Sequence, residues 1–224
     1  MNDQLDPQAI ADFLLSHPQF FEERSELLAS LKLVSPLGGR TVSLQERQME
    51  VLREKNRTLE LRLAELVRIA QENDAITQKL IAWTQSLLLA RNDVDLPHVL
   101  VNGLQTIFGV PHATLRLWGV SEAFSHTWFA QGVSDDARLF CSGLSAPYCG
   151  PNQEFEAAGW MEDGAEIKSI AMIPLGAENG SERRVFGLLV LGSSDPQRFA
   201  ADMATDYLSK IGETASAAVA CLME

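Results

Sequence analysis

The chain has 224 residues, 46% of them hydrophobic and 21% charged, which is room for one ordinary domain plus an extended element. Its net charge of -12 at pH 7 excludes a phosphate-tracking surface, because nucleic-acid affinity rests on clustered Lys and Arg, and it disfavours anionic membranes. The charge is uneven: residues 92–224 carry 17 acidic and 7 basic side chains, and residues 40–91 carry 7 and 9.

The N-terminus has no basic stretch leading into an apolar core, so no secretory signal is expected. No apolar run reaches the roughly 18 residues of a membrane span. The three cysteines, Cys141, Cys149 and Cys221, are too few and too irregular for a disulfide framework. A cytoplasmic protein with reduced thiols is expected.

Asp6-Pro7 opens a short helix, a capping side chain followed by proline at the first helical position. Ile10, Phe13 and Leu14 give it an apolar face, and His17-Pro18 ends it. A second short helix is expected with Phe20, Phe21, Leu27, Leu28 and Leu31 on its apolar side. Pro36, Gly38 and Gly39 mark a turn. Residues 1–39 are too small to hold a core of their own.

Between Arg40 and Leu96 there is no glycine and no proline. Ser43 and Glu46 form a capping box, and the helix they start runs to Arg91, about 72 Å at 1.5 Å per residue. Leucines recur every seventh position at Leu52, Leu59 and Leu66, then Asn73, Leu80 and Leu87. The seam reads Met49, Leu52, Asn56, Leu59, Leu63, Leu66, and then Ile69, Asn73, Ile76, Leu80, Trp83, Leu87. Steps of three and four alternate, as a coiled coil requires. Two successive threes at Leu63-Leu66-Ile69 form a stammer. Asn56 and Asn73 would fix register and favour two strands, and Lys55 and Glu60 can pair between parallel helices. The expectation is a homodimer through Leu52, Leu59, Leu66, Asn73, Leu80 and Leu87 across residues 40–91. The alternative is an intramolecular hairpin with the N-terminal helices on the seam.

Residues 92–224 form the third region, expected to fold without the long helix. A helix is predicted over 95–108, stopped by Gly109 and Pro111. Ala113 to Trp118 alternates like a strand, with Ala113, Leu115 and Leu117 on one face and Thr114, Arg116 and Trp118 on the other. A second strand is predicted from Ser125 to Ala130. In the irregular stretch 134–165, Leu139, Phe140 and Leu144 suggest a short helix, and Glu154 to Met161 another. Ser169–Leu175 and Val185–Leu191 are apolar strands joined by Glu178-Asn179-Gly180, a hairpin. After Asp195-Pro196 comes a helix with Met203, Tyr207, Ile211, Ala215, Ala218 and Leu222 on one face. This order is α+β, an antiparallel sheet with helices on one side, preceded by the long helix.

The run Ile173-Pro174-Leu175, then Val185-Phe186-Gly187-Leu188-Leu189-Val190-Leu191-Gly192-Ser193 and Phe199 before the last helix, resembles the end of a GAF domain. His17-Pro18-Gln19-Phe20-Phe21, Val42 to Gln48, Tyr148-Cys149-Gly150, Gly192 to Asp195, Arg198-Phe199 and Met203 to Leu208 resemble a bacterial family, domain of unknown function 484, itself GAF-like. The resemblance implies that fold and no activity. It also implies a small-molecule pocket between the sheet and the irregular middle. The Asn-Lys-x-Phe-Asp-Glu signature of cyclic-nucleotide GAF domains is absent, and so is the chromophore-binding Cys-His pair. No output domain is expected after the last helix.

No phosphate cradle, dinucleotide fingerprint or G-x-S-x-G motif is present. His17, His98, His112 and His126 have no Cys or His at ligand spacing, so no metal and no cofactor are expected. Trp118, Trp128, Cys141, Tyr148 and Cys149 are the candidate lining of the ligand pocket. Buried core is the alternative for each aromatic, and a structural thiol for each cysteine. The expected function is a non-enzymatic, homodimeric sensor or regulator that binds a small ligand in its C-terminal domain. A protein-interaction scaffold without ligand and a thiol redox enzyme are the alternatives.

Overall fold

A computed structural model describes residues 6–22, 24, 26–27, 32–34, 41–179, 182–201 and 205–223. The chain divides into two compact units, Met1–Glu72 and Asn73–Glu224.

In the first unit, α1 spans Pro7–Ser16. It begins as its sequence dictates: the Asp6 side chain accepts from the Gln8 N–H at 3.1 Å, and Pro7 fills the first position. It ends at His17, whose backbone N–H donates to the Phe13 carbonyl at 3.0 Å, and Pro18 then opens a 3-10 turn, Pro18–Phe21. Strands β1, Lys32–Val34, and β2, Thr41–Ser43, pair antiparallel. The sequence reading had only a turn there. The expected helix over Phe20 to Leu31 falls mostly outside the described residues.

Helix α2, Leu44–Leu88, follows β2 directly. Its polar surface carries Arg68 between Glu65 and Glu72, each about one turn away. Along Met49–Leu66 the apolar seam is exposed: Leu59 keeps 60% and Leu66 64% of its surface. Further along, the same helix is buried. Trp83 has no exposed surface, Leu87 has 5%, and Leu80 packs on the same core. So Leu80 and Leu87, expected to face a second chain, pack on the core of their own unit. Periodicity marks a face that is buried and does not say what covers it.

In the second unit, α3 (Leu96–Thr106) buries Leu100 and Leu104 and ends before Gly109, which has φ 66°. Four strands form an antiparallel sheet in the order β3-β6-β5-β4. They are β3 (His112–Leu117), β4 (Tyr148–Pro151), β5 (Ser169–Asn179) and β6 (Glu182–Ser193). The last helix, α5, spans Asp206–Val219. It buries Leu208, Ile211, Ala215 and Val219, not Tyr207, and Met203 lies outside the described residues.

The end of α2, α3 and α5 cover one sheet face, built on Ala113, Leu115, Leu117, Ile173, Leu175, Leu189 and Leu191. The other face holds Met172, Leu188 and Val190. It is covered by the irregular middle, which brings α4 (Asp135–Ser142) and the 3-10 turn Glu156–Trp160. The α+β class and the antiparallel sheet agree with the sequence reading, as does the long helix.

Two local expectations are corrected. Ser125–Ala130 is not a strand; it forms 3-10 turns, Glu122–Phe124 and Trp128–Ala130. The hydroxyls of Ser125 and Thr127 donate to the Glu122 and Phe124 carbonyls, a local pairing that competes with a sheet ladder. Conversely, Tyr148–Pro151 is a strand within the stretch that was expected to be irregular.

Trp83 ties α2 to α3. Its indole N–H donates to the Leu100 carbonyl at 3.1 Å, and its ring meets Phe108 edge-on. The ring lies so close to Gly103 that a Cβ there would sit 2.4 Å from it. Only glycine admits that approach.

Candidate functional site

A cleft of about 290 Å³ lies between the sheet and the irregular middle. Met172 and Leu188 form its floor, Phe140 and Phe155 its apolar walls, and Asp136, Glu154 and Glu156 stand around it. Phe140 and Phe155 are 5.7 Å apart, and Phe155 meets Tyr148 edge-on at 5.5 Å. Tyr148 folds back over Gly150, with its hydroxyl 2.6 Å from where a Cβ would stand. Glu154 adopts φ 60°, a conformation that costs a non-glycine residue about 1 kcal/mol or more.

Glu156 is fastened by Ser134, whose backbone N–H donates to it at 3.1 Å and whose hydroxyl makes a second, short bond. The hydroxyl bond is the main reason its carboxyl is held below the usual range. Burial, the next largest cause, opposes this, and the Ser134 backbone N–H assists. The stability linked to this carboxylate is therefore present above the ordinary Glu range. It is lost as pH falls through the lowered folded value. In an NMR titration Ser134→Ala should move the Glu156 midpoint up; an unmoved midpoint would remove Ser134 as the cause.

Beside the floor stands Arg116, the cross-strand partner of Leu188. Its guanidinium is half-buried and lies 5.6 Å from the ring centroids of both Trp128 and Trp160. Its Nη1 donates to Thr114 Oγ1 at 3.2 Å and to the Leu115 carbonyl at 2.9 Å. Its Nε is buried without a partner, and so is the Trp160 indole nitrogen. Burial lowers the Arg116 pKa, with no carboxylate offsetting it.

The five side chains singled out in the sequence do not form one lining. Trp118, Cys141 and Tyr148 lie on the cleft side of the sheet, whereas Cys149 and Trp128 pack with the opposite core. The alternation of a strand explains the parting of Tyr148 from Cys149. Trp118 is held by its N–H to the Val185 carbonyl at 3.1 Å, and Trp128 by its N–H to His98 Nε2 at 3.0 Å. Phe140, Phe155, Met172, Leu188, Arg116 and Trp160 were missed as site residues. The one available signal was Arg116 in a strand of otherwise apolar neighbours.

The thiols are poorly placed for chemistry. Burial pushes the Cys141 thiol up to about 12 and raises that of Cys149, while reactivity needs thiolate. Cys221 is exposed; slight burial and then Asp93 raise its pKa. Thiol labelling of the native protein should modify Cys221 first and Cys141 and Cys149 slowly. Rapid labelling of Cys149 would favour redox chemistry. Among the described residues, no three His, Cys, Asp or Glu side chains gather as metal ligands, and no helix is long and apolar enough to cross a membrane.

A wider opening of about 580 Å³ lies on the other face, between β5 and α5. There β5 runs on past β4 to Asn179 with an open edge. Pro174 has no N–H to offer, and the Gly176 N–H is taken by Ser216 Oγ at 3.1 Å. The edge is blunted there against added strands.

A family model described as protein of unknown function, DUF484, matches residues 1–219. The uncharacterized protein YigA of Salmonella typhimurium is 27% identical over 214 residues, covering 93% of this chain and 88% of that one. Among solved structures, the GAF domain of an Acinetobacter phosphoenolpyruvate-protein phosphotransferase is similar at 15% identity and a TM-score of 0.45. It covers 65% of this chain and 92% of its own. A free methionine-R-sulfoxide reductase from Neisseria meningitidis matches at 13% identity and a TM-score of 0.43, over 65% of this chain and 88% of its own.

Proposed function

The chain belongs to the DUF484 family, and from that premise we propose that it is a non-enzymatic, homodimeric regulatory protein. The first half of α2 pairs with a second copy, and the cleft of the second unit takes a small ligand. The observation that carries this reading is the division of labour along one helix. Its leucines from Leu52 to Leu66 lie exposed at coiled-coil spacing, while Trp83 and Leu87 sit in the domain core. An exposed apolar row of that length on a helix marks an interaction surface. A second copy fits it best, because the heptad repeat is self-complementary and Lys55 can meet Glu60 of a parallel partner. Ile81 and Leu88, exposed beyond the stammer, extend the apolar surface toward a groove between Thr84, Leu88, Thr214 and Ala217.

Because α2 also supplies core residues to the ligand-binding unit, a ligand that changes packing around Trp83 biases the helix that pairs. That is the regulatory coupling in its simplest form. The resemblance of residues 173–199 to the end of a GAF domain supports a regulatory role, and the raised thiol pKa values speak against a redox enzyme. Sedimentation equilibrium of the wild-type chain against Leu59→Asp/Leu66→Asp tests the dimer.

A further inference from the structure

We propose that Arg116 is the recognition element for a carboxylate-bearing ligand whose apolar body occupies the adjoining cleft. This rests on the second unit being a ligand-binding domain, and not on dimerisation. Buried charges in folded proteins are normally paired, because an unpaired one is costly. Arg116 makes no ion pair with any described carboxylate.

The part of the guanidinium left without a partner is chemically informative. Nη1 is engaged by Arg116's own strand. Nε has no partner, and Nε with Nη2 forms the edge that grips a planar carboxylate through two parallel bonds. The indole nitrogen of Trp160, whose ring lies 5.6 Å from the guanidinium, is likewise buried without a hydrogen-bond partner. Orphaned buried donors of this kind call for a missing acceptor. Trp128 and Trp160 flank the cation and hold it in place. Leu188, directly across from Arg116, is the floor of the cleft, so a ligand lying over Met172 and Leu188 can bring its anionic end to Arg116. The carboxylates at Asp136, Glu154 and Glu156 select against dianions such as phosphate, which they repel more strongly than a monoanion.

The test uses the full chain and follows the Arg116 Nε–H and Trp160 Nε1–H signals by proton–nitrogen NMR. The probes are phenylacetate, phenylacetamide and inorganic phosphate. Phenylacetate should shift both signals saturably, and the amide and phosphate should leave them in place. Arg116→Lys keeps the charge but loses the two-bond grip, and should weaken phenylacetate binding roughly ten- to a hundredfold. Trp160→Phe, which keeps the ring and loses only the N–H, should weaken it several-fold. Signals that phenylacetate never moves, or that amide or phosphate moves equally, would overturn the assignment, as would unchanged affinity in Trp160→Phe. A monomeric mass in sedimentation would end the dimer reading and leave this one standing.

Discussion

A chain that begins at residue 92 is expected to be a molten species, and one that begins at Asn73 to unfold cooperatively. The sequence divides the protein at 91/92, but the fold does not. Trp83 and Leu87 are core residues of the second unit, and that unit starts at Asn73. A chain without them leaves Leu100, Leu104 and Gly103 facing a void the size of an indole. Trp83→Ala in the full chain should cost about 3–5 kcal/mol, the usual range for an aromatic removed from a core. That is a large part of the roughly 5–15 kcal/mol that holds a domain together. Near-UV circular dichroism and urea unfolding read both effects. A cooperative transition in the 92–224 chain would contradict the placement of Trp83 at the centre of the core.

Much of this fold was legible because the signals were local. Asp6-Pro7, the alternation from Ala113 to Trp118, and the hairpin of two apolar strands each carry their structure within a few residues. Trp83 shows where locality fails. At seam spacing, a residue that faces a partner chain and one that faces its own sheet look alike, because periodicity reports a buried face and not what covers it. Ser125–Ala130 has strand-like residues but settles into turns through its own hydroxyls. The cleft was harder still. Tyr148 and Cys149 are neighbours in sequence and lie on opposite faces of a strand that was not foreseen. Phe140, Phe155, Met172 and Leu188 come from four separate elements. Arg116 is a single charged residue in an apolar strand, and its lack of a counter-ion exists only in three dimensions.

The second large effect concerns the exposed row. Leu59→Asp/Leu66→Asp should abolish self-association and leave the second unit's stability unchanged, since both leucines are more than half exposed within the chain. Leu87→Asp should do the opposite and unfold the second unit, because it places an unpaired charge in the core. If the leucine pair instead lowers the melting temperature of an unassociated chain, the row serves an intramolecular purpose.

Sedimentation equilibrium of the wild-type chain at micromolar concentration tests the central claim most directly. A mass twice that of the 24.6 kDa chain, falling to one chain mass in Leu59→Asp/Leu66→Asp, is the predicted result. A single-chain mass for the wild type across that range would contradict it.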